Sequence, residues 1–373
     1  MPGTILVLNA GSSSLKVVAF RWDDLVEIHR DGLHWSEEEG TSADQHAQAA
    51  AGLLRKGVWP EPVVAVAHRI VHAGAQGLAA QVDEEVRRAI AAHVDLAPLH
   101  NPAALAVIQA AEDILPQAKQ VAVFDTGFHR SMEPEAYLYA VPEKWYQRMG
   151  IRRFGFHGLS HAYCSRRAAE MVGGDPTRFR VVSCHLGAGC SLCACRGGRS
   201  VFTTMGYTPM DGLMMATRSG ALDPGALLAV LRRGEYDVDT LGAVLDQQSG
   251  LLGVSGLSGD MRTILEAKEN GHAGATLAFA MYVSRLRQGV AAMAAELGGV
   301  DALVFTGGVG ENAAAVRAAA LKGLQWMGIE VDPSRNAAAN PDVDVATATS
   351  RVRVLVVETQ EERMAAEATR ELT

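Results

Sequence analysis

The stretch of sequence that most constrains this chain is residues 5–20, which read ILVLNAGSSSLKVVAF. Two apolar runs flank a turn rich in glycine and serine, and this pattern is typical of a β-hairpin. The turn region carries Asn9, Ser12 and Lys16. Hydroxyl groups, exposed backbone N–H groups and a lysine suit phosphate oxygens, although the Gly-Lys-Ser/Thr of a Walker A loop is missing. The turn is therefore either a phosphate cradle or a serine-rich hairpin tip without a ligand.

A second copy of the pattern favours the phosphate cradle. Residues 181–195, VVSCHLGAGCSLCAC, again give an apolar strand, a glycine turn and an apolar strand, with His185 in the place of Asn9. Gly11 and Gly187 are 187 − 11 = 176 residues apart. A repeat of this kind indicates two halves built on one plan. We expect one cradling hairpin per half, with a nucleotide held in a cleft between the two halves.

A further match links the end of one strand in each half. Residues 121–127, VAVFDTG, resemble residues 303–308, LVFTGG, with their phenylalanines 305 − 124 = 181 residues apart. In this alignment, Asp125 and Thr306 follow equivalent strands. A carboxylate at a strand end either caps a helix or acts in a site, and the match favours the site.

Length and charge narrow the class of protein. At 373 residues and 48% hydrophobic content, the chain is long enough for two domains with a core each. The net charge of −8 gives no support to nucleic-acid binding. The first residues lack the charged and apolar regions of a secretory signal, and no apolar run is long enough to span a bilayer. We therefore expect a cytoplasmic protein with no nucleic-acid or membrane partner.

The five cysteines have two possible roles. An odd number without a secretory signal argues against a disulfide framework. A zinc site near His185 is one interpretation, but the spacing does not match the paired CxxC of a structural site. Small buried apolar residues are the other interpretation, and the one that we favour. The cysteines are Cys164, Cys184, Cys190, Cys193 and Cys195.

Other candidate site residues lie at a strand end and in glycine-rich loops. Residues 63–71, VVAVAHRIV, predict a buried strand with Arg69 near its carboxyl end, where α/β sheets bind their ligands. Glycines let the backbone approach a flat ligand such as adenosine. Three glycine-rich stretches follow: residues 203–225 around Arg218, residues 249–262, and residues 301–312.

These segments together resemble one known family. The motifs occur in order as NAGSSSLK, HRIVH, APLHNP, VFDTGFH, RRFGFHGLSH, CHLGAG, TPMDGLMMATRSG, SGLLGVSGLSGDMR and FTGGVGEN. They resemble the acetate and propionate kinase family of the actin/hexokinase/Hsp70 superfamily, over nearly the whole chain. The resemblance implies an α/β fold of two duplicated ribonuclease H-like domains, of the actin/hexokinase ββαβ type, flanking an ATP cleft. It places the first domain at residues 1–127 plus 361–373 and the second, with most of the nucleotide site, at residues 128–360.

The same resemblance implies the reaction. ATP and a short carboxylate, acetate first, give ADP and an acyl phosphate reversibly, with Mg²⁺ or Mn²⁺ as the cofactor and a homodimer as the assembly. The implied catalytic residues are Asp125, His157 and Arg218. Arg69 also holds the carboxylate, and the acyl pocket is formed by Val71, Leu99, Phe156 and Pro209. The implied metal-associated residues are Asn9 and Glu361. The implied nucleotide-binding residues are Ser12, Lys16, His185, Leu186, Gly187, Ala188, Gly189, Asp260, Met261, Arg262, Gly308, Val309, Gly310, Glu311 and Asn312.

Asp125 could act as a general base or as a positioning residue. A carboxylic acid with a pKa of about 4 to 5 arrives ionised at neutral pH, so no proton has to be removed from the acceptor. Bringing one anion against another instead requires positive charge near the γ-phosphate. We therefore expect Asp125 to position Mg²⁺ or Arg69 and not to act as a general base.

The sequence departs from the family pattern at several positions, and it leaves rival functions to consider. Ala188 and Cys190 replace the Asn and Ser usual in the phosphate turn, and Gln360 replaces a common Asn, so nucleotide affinity is in question.

Val71, where a smaller alanine would leave more room, favours acetate over propionate or butyrate. An ATP-driven binding protein of the actin or Hsp70 kind is the alternative from another class, but such a protein has no need of two arginines beside an acyl pocket.

Overall fold

The computed structural model describes residues 3–11, 14–35, 42–98 and 100–373. The chain divides into two compact units. Unit 1 comprises Met1–Arg130, Phe156–Ser160 and Gln360–Thr373, and unit 2 comprises Ser131–Gly155 and His161–Thr359. The domain bounds expected from the sequence stay a prediction.

The strands of the described residues form one sheet in each unit. They are β1 (Thr4–Ala10), β2 (Ser14–Arg21), β3 (Glu27–His34), β4 (Val63–Ile70), β5 (Ala79–Gln81), β6 (Lys119–Phe124), β7 (Arg180–Leu186), β8 (Cys190–Arg196), β9 (Arg199–Thr203), β10 (Ala302–Thr306), β11 (Val343–Asp344) and β12 (Arg353–Val356).

The α-helices of the described residues vary from one turn to 24 residues. They are α1 (Ala43–Lys56), α2 (Glu84–Ala91), α3 (Asn101–Ile114), α4 (Pro134–Tyr137), α5 (Lys144–Met149), α6 (Gly158–Val172), α7 (Pro224–Arg233), α8 (Val238–Gln247), α9 (Gly250–Ser255), α10 (Met261–Glu269), α11 (Ala273–Glu296), α12 (Gly307–Asn312), α13 (Ala314–Leu321), α14 (Pro333–Ala337) and α15 (Glu361–Leu372).

The two sheets share one topology. The order is β3-β2-β1-β4-β6-β5 in unit 1 and β9-β8-β7-β10-β12-β11 in unit 2. In both sheets the first three strands are antiparallel, the next two pairings are parallel, and the last edge strand is antiparallel. This confirms the expected α/β fold with a duplicated plan. The hairpin match is also confirmed, because β1 and β7 occupy the same place in their sheets.

The second sequence match is wrong. It paired β6 with β10, but β10 lies beside β7 as β4 lies beside β1, so β10 is the counterpart of β4. The counterpart of β6 is β12. Central parallel strands are apolar on both faces, so their sequence does not encode their position in the sheet. Asp125 and Thr306 therefore do not occupy equivalent positions in the two sheets.

Two clusters of the unit 1 core lie side by side on one face of its sheet, because paired residues and residues two apart on a strand project to the same side. Leu6, Leu8 and Val17 pack there under α1 and α3. Ile70 and Phe124 pack under α2 and α3 on the same face. Full burial of one such side chain contributes about 1.5–3 kcal/mol, so strands β4 and β6 are held firmly up to their carboxyl ends.

The cysteines support the apolar interpretation. All five are free thiols and are buried. Cys193 and Cys195 lie on β8 with their Sγ atoms 3.4 Å apart. Across the described ranges, no group of three or more His, Cys, Asp and Glu side chains is arranged to hold a metal ion. Among the same residues, no helix is long and apolar enough to cross a membrane.

Candidate active site

An arginine–carboxylate pair forms the centre of the candidate site in unit 1. Arg69 is the penultimate residue of β4, and Asp125 follows the last residue of β6. These strands are parallel neighbours with Ile70 opposite Phe124, so the two side chains leave the sheet side by side. Arg69 Nε donates to Asp125 Oδ1 at 3.1 Å, and Nη2 donates to Oδ2 at 2.7 Å. This two-point contact fixes the plane of the guanidinium group.

Two more predicted residues reach the same arginine. Asn9, near the end of β1, accepts a hydrogen bond from Arg69 Nη1 through Oδ1 at 3.2 Å. Glu361 opens α15, and its Oε2 lies 3.8 Å from Arg69 Nη2. Lys16 lies opposite Asn9 in the β1–β2 hairpin. The structure thus brings these predicted residues of unit 1 together at one edge of its sheet.

The charges of this cluster shift two pKa values in a consistent way. Burial alone would lower the pKa of Arg69, but the negative charges of Asp125, Glu361 and Glu362 outweigh it and raise that pKa above its usual range. Burial raises the pKa of Glu361, and the charge of Asp125 adds to this, although Arg69 and Lys16 act in the opposite direction. The positive charges of Arg69 and Lys16 therefore do not fully offset the cost of burying the ionised Glu361 carboxylate.

Oxygen atoms in the cluster fit a hard divalent cation. Asn9 and Glu361 present an amide oxygen and a carboxylate, which are ligand types that Mg²⁺ accepts. Mg²⁺ usually takes one or two protein carboxylates and completes its shell with water and substrate phosphates, so a full protein cage is not needed. The raised pKa of Glu361, caused first by burial, indicates a carboxylate that a nearby cation would stabilise.

The segment before α6 packs against Asp125. The Gly158 N–H donates to the Asp125 carbonyl oxygen at 2.9 Å, and a side chain at Gly158 would overlap that oxygen. His157 has a φ of 57°, in the left-handed region. The buried ring of Phe156 makes an edge contact with the ring of His72, at 5.7 Å between centroids. Val71 follows β4 directly. The predicted residues Ser12 and Leu99 lie outside the described residues.

In unit 2, two predicted nucleotide-binding runs are adjacent. Strands β7 and β10 are parallel, with His185 opposite Thr306. Residues 187–189 form the turn after β7, closed by a hydrogen bond from Gly187 N to the Gly189 carbonyl oxygen at 3.0 Å. Gly307 has a φ of 76°, and its Cα approaches the Leu186 backbone too closely for a side chain. The run that forms α12 therefore begins beside this turn.

The loop that carries Arg218 contacts the same turn. Ala216 N donates to the Ala188 carbonyl oxygen at 3.1 Å. Burial raises the pKa of the Cys190 thiol to about 11, while its hydrogen bonds and the charge of Arg218 act to lower it, so Arg218 lies close to the end of the turn. Arg218 Nε donates to Asp246 Oδ1 at 2.7 Å. Asp246 could not be recognised from the sequence, since its segment has no characteristic motif spacing.

Two other predicted residues, Asp260 and Glu311, make hydrogen bonds that stabilise the segments in which they lie. Asp260 caps α10 by accepting from Arg262 N at 2.7 Å, and its carboxylate pairs with the Arg262 guanidinium group. Glu311 Oε1 accepts from Thr306 Oγ1, Gly307 N and Thr359 N at 2.9–3.3 Å. The Glu311 carboxylate is therefore directed into its own loop.

The loop around Pro209 has its own anchor. Arg153 Nη1 donates to the carbonyl oxygens of Thr204 and Met205 at 2.9 and 3.0 Å. The Phe154 N–H donates to the Gly206 carbonyl oxygen at 3.0 Å. Arg153 is thus a structural residue of this loop, a role that its sequence context did not indicate.

We predict that Glu361→Gln makes the protein more stable at neutral pH. The pKa of Glu361 is raised from 4.5, chiefly by burial, so its contribution to stability is complete below that value and is lost as the pH rises through the folded-state pKa. Glutamine has no such loss. The melting temperature of the variant should exceed that of the parent at pH 7, and the difference should shrink toward pH 4.5.

The matched control is Glu371→Gln, at an exposed position near the end of the same helix. This change should leave the melting temperature unaltered across the pH range. Two results would contradict the interpretation. One is a melting temperature of Glu361→Gln below that of the parent at pH 7, and the other is a difference in melting temperature that does not depend on pH.

Comparison with known proteins places the chain in a family. The Acetokinase family profile matches residues 4–367. The acetate kinase of Gloeobacter violaceus is 44% identical over 96% of both chains. A crystal structure of Porphyromonas gingivalis acetate kinase has a TM-score of 0.90 and 36% identity over 99% of both chains. A propionate kinase from Francisella tularensis subsp. tularensis has a TM-score of 0.89 and 33% identity over 100% of both chains. The chain therefore belongs to the acetokinase family and is a phosphotransferase enzyme.

Proposed function

We propose that this protein transfers the γ-phosphoryl group of ATP to acetate, reversibly, to give ADP and acetyl phosphate. The observation that carries the proposal is the match of the Acetokinase family over residues 4–367. The arginine–carboxylate cluster of unit 1 and the glycine-rich runs of unit 2 supply the chemistry that this reaction needs, which is mainly positioning and charge neutralisation.

Within this reaction, Arg69 binds the acetate carboxylate. Its Nε and Nη2 are engaged with Asp125 and its Nη1 with Asn9, but each Nη atom carries a second N–H. A guanidinium group held in one plane can donate these to a carboxylate without losing side-chain entropy again. We assign the methyl group of acetate to Val71, Leu99, Phe156 and Pro209.

Asp125 acts by holding Arg69. Both of its carboxylate oxygens accept from that arginine, which leaves the pair close to neutral inside the sheet edge. Since acetate is already ionised at neutral pH, a base is not needed for the forward reaction. His157 and Arg218 are the residues that we assign to the charge that develops on the phosphoryl oxygens.

We assign nucleotide binding to Ser12 and Lys16 in unit 1 and to three runs of unit 2, which are residues 185–189, 260–262 and 308–312. Asn9 and Glu361 would hold Mg²⁺ or Mn²⁺, which when bound neutralises phosphate charge. We also propose that residues 1–127 with 361–373, and residues 128–360, act as the two domains of the enzyme. The free cysteines support a reducing, cytoplasmic location.

The product assay tests this function. With ATP and Mg²⁺, trapping by hydroxylamine should yield acetyl hydroxamate. For each added methylene in propionate and butyrate, kcat/KM should fall roughly 10- to 200-fold, which corresponds to about 1–3 kcal/mol of transition-state stabilisation. Arg218→Ala should lower kcat by about 100- to 1,000-fold, because it removes a donor to the transition state.

The control for this assay is Arg178→Ala, since the Arg178 side chain is 86% exposed and pairs with Asp175 in its own turn. ATP hydrolysis without any trapped acyl phosphate would contradict the proposal and favour a nucleotide-driven binding protein. A higher kcat/KM for propionate than for acetate would make propionate the substrate.

We also propose a homodimer that forms through unit 2. Helix α7 has no buried residue, although its sequence PGALLAVLRR is largely apolar. Leu222, Leu228 and Val238, on and beside this helix, are 48%, 49% and 74% exposed. Exposed apolar side chains on a helix without buried residues are typical of a protein–protein contact, and a second copy of the chain is the partner that we propose.

Light scattering after gel filtration tests the assembly. The parent should have twice the 39.6 kDa mass of one chain, and Leu228→Glu should shift the mass toward that of one chain. Val58→Glu, at an exposed apolar residue of unit 1, is the matched control and should leave the mass unchanged. A parent of 39.6 kDa at micromolar concentration would exclude the dimer, and a dimeric Leu228→Glu variant would exclude this surface.

A further inference from the structure

The acidic residue that holds Arg218 lies outside every segment assigned above. Asp246 is near the end of α8, in the stretch LDQQSG. Its Oδ1 accepts from Arg218 Nε at 2.7 Å, and the two side chains are 33% and 28% exposed. A partly buried, charge-assisted contact of this length restricts the arginine to one orientation.

The contact uses only one edge of the guanidinium group. Within the described part of the chain, Arg218 donates through Nε to Asp246, and Nη1 and Nη2 have no protein acceptor. Arg69 differs, because its Nε, Nη1 and Nη2 all donate to protein oxygens. Arg218 is therefore fixed through Nε, while the four N–H bonds of Nη1 and Nη2 stay available to an anion.

The backbone around Arg218 is fixed to the same helix end. Ser219 N donates to the Leu245 carbonyl oxygen at 3.0 Å, and Thr217 Oγ1 donates to the Asp246 carbonyl oxygen at 2.8 Å. Ser249 N, just after α8, donates to the Thr217 carbonyl oxygen at 2.8 Å. The loop and the end of α8 thus form one hydrogen-bonded assembly, in which the Asp246 side chain adds the contact to the guanidinium group.

The loop that carries Arg218 is attached on two sides, so the orientation of the guanidinium group depends on its own contact. Ala216, two residues before Arg218, donates to the Ala188 carbonyl oxygen in the turn after β7. The arginine loop is therefore attached to the predicted phosphate turn on one side and to α8 on the other. A small rotation of the guanidinium group would move its Nη atoms while the loop stays attached.

We propose that Asp246 is a positioning residue for the transfer reaction, which directs the Nη edge of Arg218 toward the transferred phosphoryl group. This inference rests on the proposed function, because it assumes that Arg218 acts on that group. Asp246 does not contact the substrates itself. Its effect on the reaction therefore passes through Arg218 alone.

A double-mutant cycle tests this inference. Asp246→Ala should lower kcat by about 10- to 100-fold, with the KM for ATP changed less than twofold, because a misdirected catalytic group costs rate more than binding. Asp246→Asn should keep most of the activity, because an amide oxygen still accepts from Nε. In an Arg218→Ala background, Asp246→Ala should cause no further loss of kcat.

Controls separate this effect from unfolding. Asp239→Ala, at an exposed position in the first turn of α8, should leave kcat unchanged. Melting temperatures of all variants should be compared, and Asp246→Asn keeps the test usable if Asp246→Ala unfolds. The assay is acetyl hydroxamate formation by the full-length protein with ATP, Mg²⁺ and acetate.

The possible failures are distinguishable. If Arg218→Ala keeps full activity, the role of Arg218 in the proposed function is wrong and this inference fails with it. If Arg218→Ala is inactive but Asp246→Ala is fully active, this inference alone is wrong. If Asp246→Ala lowers kcat equally with and without Arg218, Asp246 acts through general stability and the inference is again wrong.

Discussion

The two-point contact between Arg69 and Asp125 is the interaction on which the candidate site in unit 1 depends. The Asp125 side chain is 3% exposed, and an unpaired carboxylate in such a place would carry a large desolvation cost. Removing one partner of a buried ion pair typically destabilises a protein by about 3–5 kcal/mol. The contact also brings the carboxyl ends of β4 and β6 into one charged centre. Asn9 and Glu361 then complete the surroundings of the same guanidinium group.

The duplicated plan carries different chemistry in its two copies. In unit 1, Arg69, the penultimate residue of β4, pairs with Asp125, which directly follows β6. In unit 2, the counterpart strand β10 ends in Thr306 and leads into the glycine-rich start of α12. One sheet edge therefore presents side-chain charge, and the other presents closely approaching backbone. An acid-phosphorylating enzyme needs both, because the acceptor is a small anion and the donor is a large nucleotide.

The sequence predicted the parts of this arrangement that depend on local pattern. The hairpin repeat was visible because Gly11 and Gly187 directly follow strands of the same length. The cluster around Arg69 was reached through motif resemblance, since parallel strands bring distant segments together and their sequences do not encode that neighbourhood. For the same reason, the match of β6 with β10 was wrong. Asp246 was missed because the role proposed for it depends on one contact with a residue 28 positions away.

The most direct test of the account is the pH dependence of kcat for Asp125→Asn, followed through acetyl phosphate by phosphorus NMR. An asparagine cannot make the paired charged contact with Arg69, so kcat should fall by about 100-fold at every pH from 6 to 9. The shape of the profile should stay that of the parent, because Asp125 removes no proton. Recovery of the variant's kcat as the pH rises would show that Asp125 serves as a base and would contradict the account.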